Sequence, residues 1–144
     1  MKQKLKLALV GAGERGQYCY APYAKMHGYE IEFVAVADPH KGRREKFVQD
    51  YHVPAEGVFE TAEQFFARPR MADAVLICTQ DSQHYAYACQ AIDLGYSILL
   101  EKPISPSVRE CLDLQRRAEE KGTQIMVCHV MRYTKFYRKL KELI

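Results

Sequence analysis

The feature that most constrains the fold is a repeated alternation of short apolar segments with stretches of helical spacing. Near-continuous apolar segments of this length are typical of strands that helices cover on both faces. Six segments fit this description: residues 5–10, 31–37, 58–59, 74–78, 98–100 and 124–128. Because strands that alternate with helices are joined by right-handed crossovers, the pattern predicts one α/β domain with a doubly wound, mostly parallel sheet.

Signals for helix ends support these boundaries. Thr61 with Gln64, and Ser107 with Glu110, have the spacing of a capping box, in which each side chain satisfies a free backbone donor of the first turn. Pro22 falls two turns into the first helical stretch, where proline removes a hydrogen bond. We therefore expect the first helix to kink or restart at Pro22.

The composition excludes several classes of protein. The 144 residues carry a net charge of only +3, and no basic run is interleaved with aromatic residues, so nucleic acid is not an expected partner. No apolar segment approaches the length of a membrane span. The five cysteines are odd in number and show no paired CxxC spacing, which argues against structural disulfides and metal sites. These features predict a cytoplasmic globular domain.

A glycine motif directly follows the first predicted strand. In Gly11-Ala12-Gly13-Glu14-Arg15-Gly16, the first glycine allows a tight turn, the second lets a pyrophosphate approach the backbone, and the third lets the helix pack closely on the strand. Phosphates are favoured at such a helix N-terminus by free N–H groups and by the helix dipole. The sequence therefore predicts a Rossmann fold with a dinucleotide site at Gly11, Gly13, Glu14, Arg15 and Gly16.

Asp38 ends the second predicted strand, 22 residues after Gly16. A carboxylate at this position accepts hydrogen bonds from the ribose hydroxyls of an adenosine and repels a 2′-phosphate, which favours NAD over NADP. Arg43 and Arg44 follow closely and could offset that repulsion, so NADP stays possible.

Three further segments give the sequence a family resemblance. They are Thr79-Gln80-Asp81-Ser82-Gln83-His84, Leu99-Leu100-Glu101-Lys102-Pro103 and His129-Val130-Met131-Arg132-Tyr133. With the glycine motif, they make the chain resemble the nucleotide-binding domain of the Gfo/Idh/MocA oxidoreductases, from about Lys4 to Ile144. In one departure, Gln80 stands where that family commonly has proline.

The resemblance implies roles for particular residues. It implies cofactor contacts for Thr79, Gln80, His84, Glu101, Lys102 and Arg132. Lys102 is implied as the catalytic residue that exchanges a proton with the substrate oxygen, next to a Lys-Pro bond that is typically cis in the family. An ordinary helix-start histidine is the alternative for His84, and a structural ion pair is the alternative for Arg132. For Glu101, the alternative to a cofactor contact is that it orients Lys102.

The resemblance also implies a domain organisation. Residues 1–130 would be the NAD(P)-binding domain, and residues 131–144 a trailing helix that leads toward a C-terminal α/β domain absent from this sequence. That domain would hold most of a sugar- or polyol-like substrate pocket, so the chain alone is expected to bind NAD without turnover. The apolar residues from Phe136 to Ile144 predict a homo-oligomer.

Two other functions remain open on the sequence. A non-catalytic NAD(H)-binding or redox-sensing module would need no substrate domain. An S-adenosylmethionine-dependent methyltransferase would share the glycine loop and the acidic residue, but has no need for Glu101-Lys102-Pro103. The sequence contains no GxSxG motif, so nothing in it indicates a serine hydrolase.

Overall fold

One six-stranded parallel sheet organises the chain, with the strands in the order β3-β2-β1-β4-β5-β6. The computed structural model describes residues 3–144. The strands are β1 Leu5–Val10, β2 Ile31–Ala37, β3 Val58–Phe59, β4 Ala74–Ile77, β5 Ser97–Leu100 and β6 Ile125–Val127. All six predicted strands are confirmed, with ends that shift by one residue at β4, β5 and each end of β6.

Within the described part of the chain, five helices connect successive strands, and a sixth follows β6. They are α1 Pro22–Met26, α2 Lys41–Tyr51, α3 Ala62–Phe66, α4 His84–Asp93, α5 Val108–Lys121 and α6 Lys135–Leu143. Shorter turns complete the path: a π-helical segment Glu14–Tyr20 and 3₁₀ turns Ala55–Gly57, Asp81–Gln83 and Val130–Tyr133. Among residues 3–144, no helix combines the length and the apolarity needed to cross a membrane.

The sheet has a separate hydrophobic layer on each face. On one face, α1 and α2 pack against β1 and β2, with Leu9 and Phe47 fully buried. On the other face, α3, α4 and α5 pack against the sheet around Phe65, Ile92 and Tyr96. Because helices cover both faces of a parallel sheet, the predicted doubly wound Rossmann fold is confirmed.

The first helical segment restarts at Pro22, as expected. Gln17 N donates to Gly13 O at 2.9 Å in the usual helical manner, but Ala21 N donates to Gly16 O at 3.0 Å, which widens the turn to a π-helix. Pro22 then occupies the first turn of α1, where a missing N–H costs nothing.

The predicted capping boxes are half formed. Thr61 Oγ1 accepts from Gln64 N at 3.2 Å, and Ser107 Oγ accepts from Glu110 N at 3.4 Å. The second hydrogen bond of the box at α3 differs from the prediction. Gln64 Oε1 accepts from Glu60 N at 2.9 Å rather than from Thr61 N, one residue later. Thr61 therefore caps the first turn of α3, while Gln64 binds the backbone that precedes the helix.

The strand order reverses between β1 and β4. At such a switch point, the segments that leave the carboxyl ends of the two strands diverge and open a crevice, which is where doubly wound sheets bind ligands. The predicted site residues other than Arg132, which follows β6, come after β1, β2, β4 and β5, and so gather at this edge of the sheet.

Candidate functional site

Two glycines of the loop after β1 are required by packing. Gly11 has φ of +95°, and a Cβ atom there would lie 2.4 Å from Cys78 O at the end of β4. A Cβ on Gly16 would lie 2.3 Å from Gly11 O and 2.8 Å from a Leu9 methyl group. These glycines let the loop, the first helical segment and the two central strands approach each other.

Gly13 differs from both, because the space beside it is open. Its φ of −79° and ψ of −162° suit any residue, and a Cβ there would meet nothing closer than Arg43 Nη1 at 3.9 Å. Packing within the protein therefore does not require glycine here. An open backbone surface at a helix N-terminus, flanked by Glu14 and Arg15, is the geometry that admits a phosphate group.

The Asp38 carboxylate joins the end of β2 to the glycine loop. One oxygen accepts from Ala12 N at 2.8 Å and the other accepts from His40 N at 2.8 Å, while the residue is only 3% exposed. Each carboxylate oxygen can accept more than one hydrogen bond. Asp38 thus holds the loop in place and keeps acceptor capacity for ribose hydroxyls.

The two arginines of α2 have different surroundings. Arg44 is buried, donates from Nη1 to Asp38 O at 2.7 Å, and pairs with Glu60 at 3.3 Å. Arg43 is exposed, and its Nη1 is the group nearest to the open side of Gly13. Only Arg43 is therefore placed to meet a phosphate.

The segment after β4 borders the glycine loop. Thr79 N would lie 3.1 Å from a Cβ on Gly11, and Thr79 Oγ1 is buried with no hydrogen-bond partner among residues 3–144. A buried hydroxyl without a partner carries a desolvation cost, which a bound ligand would relieve. The exposed Gln80 uses an N–H that proline lacks, donating to Gln83 Oε1 at 3.3 Å. The departure from the family pattern is therefore accommodated locally.

His84 is fully buried at the start of α4 and faces two backbone carbonyl groups. Its Nδ1 lies 2.6 Å from Pro103 O and its Nε2 lies 3.2 Å from Thr79 O. Because a carbonyl oxygen can only accept, the shorter contact marks Nδ1 as the donor to Pro103 O. The ring thus links the segment after β4 to the segment after β5, which is a positioning role rather than an outward contact.

We expect His84→Leu to lower the free energy of unfolding by about 2 kcal/mol, because it leaves the Pro103 carbonyl without its donor. His84→Asn should retain most of the stability, since its amide nitrogen can replace Nδ1. Urea denaturation of both variants measures the difference. Equal stability of His84→Leu and the wild type would contradict the role assigned to this hydrogen bond.

Glu101 lies buried at the end of β5, where both of its carboxylate oxygens are held. Oε1 accepts from the Tyr20 hydroxyl and lies 3.4 Å from Arg15 Nε, and Oε2 accepts from Lys102 N at 2.9 Å. The Lys102–Pro103 peptide is cis, as the resemblance implied, and the Lys102 side chain is exposed. Sequence analysis missed Tyr20, which has no motif of its own and lies 81 residues before Glu101.

Thiols near this carboxylate do not provide a nucleophile. Burial, followed by the negative charge of Glu101, raises the pKa of the Cys78 thiol well above its ordinary value. Burial likewise raises the pKa of Cys128. Both side chains therefore stay protonated and behave as small apolar groups.

Arg132 stands apart from the other candidates. It lies in the exposed 3₁₀ turn after β6. Within residues 3–144, no hydrogen bond or salt bridge connects its side chain to the switch point or to an acidic partner. The structure brings together the predicted residues of the β1, β2, β4 and β5 ends, and leaves Arg132 outside that group.

A parallel doubly wound sheet with a glycine loop and an acidic residue at its switch point defines a dinucleotide-binding domain. The chain belongs to the Gfo/Idh/MocA oxidoreductase family: the profile of its NAD-binding Rossmann fold matches residues 5–129. Family membership makes this an NAD(P)-binding domain and does not favour the methyltransferase alternative.

Two relatives that the chain matches are named as dehydrogenases, in agreement with this assignment. The chain is 26% identical to a scyllo-inositol 2-dehydrogenase (NADP(+)) of Bacillus subtilis, covering 97% of this chain and 37% of that protein. It is 30% identical to an inositol 2-dehydrogenase of Pseudomonas savastanoi, covering 97% and 41%. The chain thus spans about two fifths of the length of these relatives.

A solved structure shows the same fold. The WlbA dehydrogenase from Chromobacterium violaceum, in complex with NADH and UDP-GlcNAcA, matches with a TM-score of 0.86 at 19% identity. The match covers 99% of this chain and 40% of that one. At this identity, the similarity establishes the fold.

Proposed function

We propose that this chain binds NAD(H) and forms the nucleotide-binding half of an oxidoreductase acting on a sugar- or polyol-like hydroxyl or carbonyl group. The observation that carries the proposal is the open backbone at Gly13, together with the buried carboxylate of Asp38 and the Thr79 hydroxyl, which has no hydrogen-bond partner among residues 3–144. Backbone N–H donors for a phosphate, a carboxylate acceptor for a ribose and a hydroxyl are thus found after the neighbouring strands β1, β2 and β4. The names of the inositol dehydrogenase relatives support the substrate class.

The proposed contacts follow the order of the strands. The glycine loop holds the pyrophosphate through Gly11, Gly13, Glu14, Arg15 and Gly16, and Asp38 holds the adenosine ribose. The nicotinamide end lies over the ends of β4 and β5, near Thr79, Gln80, Glu101 and Lys102, and the buried His84 links the segments after these two strands. When bound, the cofactor supplies the acceptor or donor of a hydride.

Lys102 is proposed as the catalytic residue. When an alcohol is oxidised, the carbon gives up a hydride and the hydroxyl gives up a proton, so a side chain must receive that proton. In support, Lys102 directly follows β5, the strand beside β4, and its side chain is exposed. We propose that these 144 residues alone bind NAD(H) without turnover, because they span about two fifths of the length of the dehydrogenase relatives.

The proposal extends to the organisation of the chain. Residues up to 130 would form the nucleotide-binding domain, and residues 131–144 a helix that leads toward a second domain. In support, every residue of α6 is exposed, including Phe136, Leu140 and Leu143. Exposed apolar residues of this kind also support association with a second copy of the chain. The five cysteines are free thiols, which supports the cytoplasm as the compartment.

Titration of the chain with NADH, followed by nicotinamide fluorescence, tests the proposed function. We expect saturable binding of NADH and binding of NADPH that is weaker by about tenfold or more, because the buried Asp38 carboxylate repels a 2′-phosphate. The absence of binding of either nucleotide at millimolar concentration would refute the proposal.

Replacement of Arg43 by alanine tests whether its guanidinium lies at the pyrophosphate, beside Gly13, or at the 2′-phosphate of NADPH. Since Nη1 lies beside Gly13, we expect Arg43→Ala to weaken NADH and NADPH alike, by about tenfold. Lys41→Ala is the matched control, because Lys41 begins the same helix and pairs only with Glu45 at the surface. Selective loss of NADPH binding in Arg43→Ala would instead place Arg43 at a 2′-phosphate.

A further inference from the structure

Tyr20 connects the helical segment after the glycine loop to the end of β5. It is half-buried at the end of the π-helical segment, and its hydroxyl donates to Glu101 Oε1. The other carboxylate oxygen accepts from Lys102 N at 2.9 Å. Through one carboxylate, the Tyr20 hydroxyl is thus linked to the backbone of the proposed catalytic lysine.

The surroundings of Glu101 make this hydrogen bond important. Glu101 is 4% exposed, and a buried carboxylate is costly unless it is both paired and hydrogen-bonded. Its cationic partner, Arg15, lies 3.4 Å away with a side chain that is 45% exposed, so solvent screens that attraction. The half-buried Tyr20 is therefore less exposed to solvent than Arg15 and is the better-protected donor to Oε1.

The Tyr20 hydroxyl remains a donor across the range in which proteins are stable. Burial, followed by hydrogen bonds involving Cys128 and Glu101, raises the pKa of Tyr20 well above its ordinary value. A protonated phenol can direct its single O–H to only one acceptor, and the structure directs it to Glu101.

We propose that Tyr20 is a positioning residue for the nicotinamide end of the site, acting through the Glu101 carboxylate to fix the backbone at Lys102. The inference rests on the proposed function, because it takes NAD(H) as the ligand of the site. The π-helical segment after the glycine loop would then have two roles. It would bind phosphate at its start and, through Tyr20, fix the geometry of the loop after β5. A change at Tyr20 should then affect the nicotinamide end and leave the adenosine end intact.

The test compares Tyr20→Phe with Tyr18→Phe, which removes a hydroxyl from a residue that lies in the same helical segment and is 55% exposed. Each variant is titrated with NADH and with ADP-ribose, which lacks the nicotinamide. We expect Tyr20→Phe to weaken NADH about tenfold and leave ADP-ribose unchanged, since hydrogen bonds to charged groups are among the strongest in proteins. Tyr18→Phe should change neither affinity.

Amide hydrogen exchange at Lys102 gives a second readout that needs no cofactor. We expect the Lys102 amide to exchange faster in Tyr20→Phe than in the wild type or Tyr18→Phe, because its acceptor Glu101 becomes less ordered. Unchanged exchange, unchanged NADH affinity, or equal weakening of NADH and ADP-ribose would each overturn the inference. If the wild-type chain binds neither nucleotide, the proposed function fails, and the exchange rate at Lys102 alone decides the positioning role.

Discussion

Replacing Gly11 with alanine is expected to lower the free energy of unfolding by about 3 kcal/mol or more. Gly11 has φ of +95°, a conformation that alanine adopts only under strain, and the added Cβ would lie 2.4 Å from Cys78 O. The obstacle is the backbone of the central strand β4, which cannot move aside as a flexible side chain would. Urea denaturation followed by circular dichroism measures the loss.

Gly13→Ala is the matched control, with the opposite expected outcome. The backbone at Gly13 is extended, and the nearest group to an added Cβ is 3.9 Å away, so the free energy of unfolding should change by less than about 1 kcal/mol. NADH binding should weaken by more than about tenfold, because the methyl group occupies the surface that a phosphate would approach. Wild-type NADH affinity in Gly13→Ala would show that the loop does not hold the phosphates. Wild-type stability in Gly11→Ala would contradict the close contact between position 11 and Cys78 O.

Asp38→Asn is expected to lose both stability and cofactor binding. Each carboxylate oxygen accepts a backbone N–H, from Ala12 and from His40. Asparagine is similar in shape, but its NH₂ group would face one of these donors, so one hydrogen bond is lost inside the protein. We expect the free energy of unfolding to fall by about 1–3 kcal/mol without cofactor, and NADH affinity to fall at least about tenfold.

Asp93→Asn provides the control for the change in charge, because Asp93 is exposed at the end of α4. Chemical denaturation without nucleotide and titration with NADH separate the two effects. A stable Asp38→Asn variant that no longer binds NADH would show that the contacts to Ala12 and His40 contribute little. A destabilised variant with wild-type NADH affinity would remove Asp38 from the ribose site.

Local patterns in the sequence determined the strands, the glycine loop and the family. Apolar runs, helical spacing and the restart at Pro22 depend on residues within a few positions of one another, so each could be recognised from its own segment. The positive φ at Gly11 is likewise local, because it belongs to the turn after β1, whereas the close approach of Gly11 to Cys78 O depends on the fold. For the same reason, Asp38 could be assigned to the end of β2 before its partners were known.

Only the tertiary structure decided which side chains face the site and which partners they contact. Arg43 and Arg44 are adjacent in sequence, yet α2 directs one toward Gly13 and the other into the interior against Asp38 O. His84 binds the carbonyl of Pro103, 19 residues further along the chain, and Tyr20 binds a carboxylate 81 residues away. These pairs meet because the strand order brings the ends of β1, β4 and β5 together, and no local periodicity encodes a contact between residues so far apart in the chain.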